Sequence, residues 1–301
     1  MDPKEGNIML CSQCPRKCNA VREDNSSRGA FCNSPSLFKI ARAALHFGEE
    51  PCVSGIRGSG TVFFSGCNLK CVFCQNEMIS HRGFGKTVSA VELKNIFNRL
   101  IEQGCENINL VNPTHYAKQL SEVLDKSLSV PVIYNSSGYE SIPTLSLLDQ
   151  RIDVYMPDLK YLFNDISLKY SGARDYPDVA KSAIKEMFRQ RGEFILDDKG
   201  IIRSGVIIRH LVLPDNLENT FECIDWVRDN FKDKVIFSLM TQYTPCNDLP
   251  HHPELRRYLT VEEYDRVTKY LEYCGLKNAY YQEYDLNGEA MIPDFDLTGV
   301  I

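Results

Sequence analysis

Downstream of residue 60, short runs of apolar and β-branched residues alternate with stretches of helical periodicity. This alternation restricts the fold of the 301-residue chain more than any other feature. The strand-like runs are TVFFSG (61–66), NINLVN (107–112), PVIYNS (131–136), VYMPDLK (154–160), VIIRHLVL (206–213) and VIFSLM (235–240). Between them lie SAVELKNIFNRLIEQG, HYAKQLSEVLDKSL, YPDVAKSAIKEMFRQRG and ENTFECIDWVRDNF, whose apolar residues recur at helical spacing. A last helix, TVEEYDRVTKYLEYCG, opens on Thr260 with Glu263 three residues later and closes on Gly275. Nearly continuous apolar strands alternating with helices predict a parallel β/α architecture. GEFILDDKGIIRSG (192–205) reads as a hairpin inserted before the fifth strand. Residues 1–50 differ: they are loop-like and cysteine-rich, and end in LFKIARAAL, whose apolar pattern predicts a short helix. A small extension (1–50) followed by one β/α domain (51–301) suits this length. In parallel β/α folds the chemistry sits at the carboxyl ends of the strands.

Twelve cysteines populate the chain, seven of them in two clusters. No basic stretch followed by an apolar segment opens the sequence, and no apolar run approaches 18 residues, so a cytoplasmic, soluble protein is expected. In that compartment clustered thiols are metal ligands or catalytic groups before they are disulfides. A net charge of −6 argues against a nucleic-acid partner. Cys67, Cys71 and Cys74 follow the first strand in GCNLKCVFCQN. A closed structural zinc site takes four ligands, whereas three leave one position open for chemistry. Soft thiolates select zinc, copper or iron–sulfur clusters, and a four-iron cluster held by three cysteines keeps one iron free.

Cys67-x3-Cys71-x2-Cys74, with the aromatic Phe73 before the last cysteine, resembles the signature of the radical S-adenosylmethionine (SAM) superfamily. The resemblance implies a partial (β/α)6 TIM-like barrel and a 4Fe-4S cluster whose open iron chelates SAM. It also implies reductive cleavage to methionine and a 5′-deoxyadenosyl radical that abstracts hydrogen from a substrate. On the other strand ends, NPTHY stands where relatives have a Gly-Gly-Glu-Pro-like turn for the SAM amino group. Only Pro113 matches, which leaves Asn112, Thr114 and His115 as the polar candidates. Asn135, Ser136 and Ser137 suit ribose or carboxylate hydrogen bonds. Asp158 and Lys160 in PDLKY lie two apart and so on one side of a strand; they resemble the Asp-x-Lys element of glycyl-radical-enzyme activases. Arg209 interrupts an apolar strand, and a buried guanidinium requires a carboxylate. The resemblance offers it the SAM carboxylate; the sequence also offers Asp158. His210 points to the opposite face and reads as structural. Gln242, Tyr243, Cys246, His251 and His252 are candidates for the substrate side.

Cys11-x2-Cys14-x3-Cys18-x13-Cys32 has the count and approximate spacing of a closed four-thiolate site in a segment too poor in apolar residues to order itself. Structural zinc is the first reading and a second iron–sulfur cluster for electron transfer the other; both metals take this ligand set. CPRKC, the triplet, NPTHY, NSSGYE, YMPDLKY, RHLVLP and QYTP together resemble the pyruvate formate-lyase-activating-enzyme-related proteins of the PflX type. That resemblance implies an oxidoreductase-like radical enzyme, a reductant such as flavodoxin or ferredoxin, and a substrate that is either a glycyl radical enzyme or a small molecule. Unlike many activases, the chain has no cysteines between residues 75 and 104. Two other classes compete: an electron-transfer protein, which needs the cluster but not Asp158, Lys160 and Arg209, and a zinc-stapled binding module.

Overall fold

The computed structural model describes residues 10–125, 128–246, 248–284 and 293–300. Its strands are β1 (Val21–Arg22), β2 (Ser27–Arg28), β3 (Phe38–His46), β4 (Ser59–Phe64), β5 (Lys86–Val88), β6 (Ile108–Val111), β7 (Val132–Ser136), β8 (Val154–Pro157), β9 (Ile195–Leu196), β10 (Ile202–Leu211), β11 (Ile236–Met240) and β12 (Ala279–Tyr281). Its helices are α1 (Pro51–Ser54), α2 (Glu77–Ser80), α3 (Ala90–Glu102), α4 (Ala117–Val123), α5 (Ile142–Leu147), α6 (Asn164–Ser171), α7 (Tyr176–Arg191), α8 (Leu217–Phe231) and α9 (Val261–Cys274). The main sheet runs β12-β11-β10-β8-β7-β6-β4-β3-β5. All pairings from β4 to β12 along it are parallel, which the six apolar runs require, and β12 extends them by one strand.

Alternation within the strands separates two cores. Tyr134, Tyr155, Ile208 and Phe237 face outward into the large core shared with the helices. Ile133, Val154, Met156, Ile207 and Ile236 face inward and meet Cys52 and Val53 of α1. Inward residues further along the same strands, among them Asn135, Arg209 and Met240, surround one cavity, so the sheet curls into a partial barrel with α1 packed into the end opposite the cavity.

LFKIARAAL does not form a helix. It is β3, antiparallel to β4 and β5. Its apolar residues satisfy both periods over so short a run, and the open edge of β4 decides for the strand. The last described residues cover part of its other edge, with Ala43 donating to Thr298 and Leu297 to Ala41. The 192–205 segment is the expected hairpin, β9 against β10. Thr260 and Glu263 form a reciprocal capping box on α9, and Gly275 ends that helix at φ 69°.

Candidate active site

The loop leaving β4 turns at Gly66, φ 90°. A Cβ there would fall 2.0 Å from Ser34 Oγ and 2.6 Å from the Cys32 carbonyl oxygen, so glycine alone lets this loop pack on the N-terminal segment. Cys67, Cys71 and Cys74 follow and line, with Phe73, one part of a cavity of about 290 Å³. Each sulfur meets donors: the Leu69 and Lys70 amides at 3.3 and 3.4 Å from Cys67, Ser171 Oγ at 3.0 Å from Cys71, and Ser80 Oγ at 3.2 Å from Cys74. Burial pushes the Cys67 thiol up, and it pushes Cys74 up to about 12 with help from the neighbouring sulfurs. Thiolates here therefore need a cationic centre to hold them, while the surrounding donors are already arranged for negative sulfur.

Asn112, Asn135, Ser136, Ser137, Asp158, Lys160, Arg209 and Gln242 line the same cavity. Lys160 Nζ lies 2.5 Å from Asp158 Oδ2. Burial opposes the charge on Lys160, but Asp158 and the Cys71 and Cys74 sulfurs more than offset it, so its pKa is raised. The Asp158 carbonyl packs on Gly138, where a Cβ would come within 2.3 Å, and Tyr176 Oη bridges Ser137, Asp158 and the Lys160 amide. Ser137 Oγ is buried without a hydrogen-bond partner among the described residues.

Arg209 ends on two carboxylates of the chain itself, and neither is that of Asp158. Nη2 lies 3.0 Å from Glu49 and Nε 3.0 Å from Glu50, both just before α1. Asn109 Nδ2 holds the other oxygen of Glu49 at 3.0 Å. Burial works against the guanidinium charge, yet Glu50 and Glu49 raise its pKa. The only advance signal for these acids was the need for a partner, since their placement depends on the connection running beneath the barrel.

Thr114 and His115 are not among the cavity-lining residues. Thr114 Oγ1 donates to the buried Glu140, and the His115 ring contacts the Ser65 carbonyl at 2.8 Å, with its pKa lowered by burial to about 3. Both belong to a tight 3-10 turn over 114–116 that buries its side chains. Tyr243 is buried with its hydroxyl donating to the Leu255 carbonyl; Cys246 and His251 are exposed, and His252 packs on Tyr170. His210 faces outward between the Leu159 carbonyl (2.6 Å) and Thr220 Oγ1 (2.9 Å), and burial lowers its pKa to about 4.

In the N-terminal segment Cys11 and Cys18 pack against buried Cys32, Ala20 and Ala30, and burial pushes the Cys14 thiol up to about 12. Among the described residues no three His, Cys, Asp or Glu side chains converge on a point that a single metal ion would occupy. No helix among the described residues is long and apolar enough to cross a membrane.

A family model described as a 4Fe-4S single cluster domain matches residues 54–150, which include the triplet. The chain is 31% identical over 283 residues to the uncharacterized protein MJ0674 of Methanocaldococcus jannaschii, an alignment covering 90% of this chain and 76% of that one. Among solved structures, methylornithine synthase (PylB) is similar over 79% of this chain and 71% of its own, with 13% identity and a TM-score of 0.50. SuiB of Streptococcus suis matches over 76% of this chain with 17% identity and a TM-score of 0.49; the chain spans about half of SuiB's length. The likeness to PylB is one of fold.

Proposed function

The chain belongs to the family of the Methanocaldococcus jannaschii protein and has a partial (β/α)6 barrel of the radical SAM type, and from this we propose that it is a radical SAM enzyme. One observation carries the reading: three cysteines with donors on every sulfur open onto a cavity whose remaining polar lining suits a small zwitterion and a ribose. Cys67, Cys71 and Cys74 would hold the cluster. When bound, it supplies one electron to a chelated sulfonium cofactor, the source of a radical able to take hydrogen from a substrate.

The chain's own residues prepare that chemistry. Lys160, kept charged by Asp158, sets a cation beside Cys71 and Cys74 and offsets part of their negative charge. Asn112, Asn135 and the Ser137 hydroxyl, which has no partner among the described residues, offer hydrogen bonds to amino, carboxylate or ribose groups. Phe73, edge-on to Tyr170 and Tyr243, keeps water from the sulfurs. Met240, Gln242 and Gln282 line the part of the wall contributed by the last strands and are left for the substrate.

The finer reading is a PflX-type relative of the glycyl-radical activases, supported by Asp158-x-Lys160 and by Arg209 with Val212 and Pro214 behind it. A flavodoxin or ferredoxin would serve as reductant, and Cys11, Cys14, Cys18 and Cys32, which as they stand do not converge on the position of a single ion, would have to close around zinc or a second cluster.

Anaerobic reconstitution tests all of this. The protein should turn brown and bind about four iron atoms per chain if the N-terminal thiols take zinc, or about eight if they take a second cluster. With dithionite and SAM it should release 5′-deoxyadenosine and methionine, and Cys71→Ala should abolish the release. Cleavage persisting in Cys71→Ala would refute the assignment.

A further inference from the structure

Arg16 stands between Cys14 and Cys18, yet its guanidinium is spent on the other cysteine loop. Nε donates to the Asn68 carbonyl at 2.8 Å, Nη2 to Leu69 at 3.3 Å and Ser171 at 2.9 Å, and Nη1 to Gly172 at 2.7 Å. Asn68 and Leu69 lie between Cys67 and Cys71; Ser171 is the last residue of α6 and Gly172 its left-handed cap. The guanidinium rests on the Phe31 ring at 4.1 Å, with Tyr139 at 5.4 Å. The Val72 amide adds a bond to the Tyr170 carbonyl at 2.9 Å. The same helix end carries the Ser171 hydroxyl, 3.0 Å from Cys71 Sγ and 2.9 Å from Tyr161 Oη. A planar fork suits four carbonyls in this way and a lysine does not; a cation at a helix C-terminus is favoured besides.

We propose that Arg16 is a positioning residue for the triplet: by tying the end of α6 to the Asn68–Leu69 main chain it holds the Ser171 hydroxyl on the Cys71 sulfur, and so sets the reduction potential of a cluster bound there. The inference about potential rests on the radical SAM reading; the clamp itself does not. A hydroxyl donating to a ligand sulfur favours the more negative, reduced cluster, so losing it lowers the potential.

Redox titration of the reconstituted full chain, followed by electron paramagnetic resonance, reads this directly. Arg16→Lys keeps the charge and loses the fork. It should lower the midpoint potential, Ser171→Ala should lower it too, and the double variant should sit no lower than Ser171→Ala alone. A wild-type potential in Arg16→Lys, or shifts that simply add, would overturn the proposal. The metal-free chain gives a second readout: iodoacetamide should alkylate Cys71 several-fold faster in Arg16→Lys, with buried Cys223 as internal control. An unchanged rate overturns the clamp. If the wild type takes up no iron at the triplet, the radical SAM reading falls, and the alkylation rates still decide the clamp.

Discussion

A guanidinium inside a barrel has to be matched by anions, and Arg209 has two, each 3.0 Å away, with Asn109 holding one of them in place. Lys160 is matched in the same cavity by Asp158, so two cations and three carboxylates are distributed between two local clusters. This arrangement changes what a substitution reports. Arg209→Ala strands Glu49 and Glu50 in a desolvated site, and removing one partner of a buried ion pair costs about 3–5 kcal/mol. The urea midpoint of Arg209→Ala should therefore fall well below wild type, and adding Glu50→Gln should recover part of the loss. An unchanged midpoint would mean that the ion pairs contribute little. Any loss of SAM affinity in Arg209→Ala has to be read against this destabilisation.

The N-terminus of α9 joins sequence to packing through one short motif. Thr260 Oγ1 accepts from the Glu263 amide at 3.1 Å and Glu263 returns to the Thr260 amide at 2.9 Å. Glu263 also accepts from Arg257 and from the Asp215 amide beyond β10. Thr260→Ala should cost about 1 kcal/mol, and Glu263→Ala more because Arg257 and the Asp215 amide also lose their acceptor; thermal melts check the order, and equal losses would show that the ties to Arg257 and Asp215 are idle. Such local signals explain which parts of the fold could be read from the chain. The six parallel strands were legible because each is an apolar run between helical stretches, and the cysteine triplet because its three thiols share one loop. β3 was misread because LFKIARAAL fits either period until the edge of β4 is present. β12 is three residues long and leaves no pattern. Glu49, Glu50, Arg16 and Ser171 were illegible as site residues because each acts on a partner that is distant in sequence.

Glu140 couples the fold to pH. It closes the NSSGYE turn, fully buried against Thr114 of NPTHY, and burial raises its pKa to about 7 although hydroxyls of Thr114, Ser136 and Tyr134 favour the anion. Thr114 Oγ1 reaches it at 2.5 Å and Tyr134 Oη at 3.3 Å. An acid whose pKa is raised on folding binds its proton more tightly in the native state. Its stabilising effect is thus complete below about 4.5, its unfolded value, and is lost as pH climbs through 7. A displacement of that size corresponds to about 3 kcal/mol. His115 and His210 act in the opposite sense: their pKa values fall to about 3 and about 4, so they favour the native state more as pH rises towards 6.5. The wild-type stability curve alone mixes these contributions, whereas its difference from Glu140→Gln isolates the carboxyl. Urea denaturation of both proteins from pH 5 to 8 should show the glutamine variant gaining on wild type by about 2–3 kcal/mol across the range. A difference independent of pH would mean that Glu140 keeps one protonation state throughout, and the pH response of the barrel would then have to come from elsewhere.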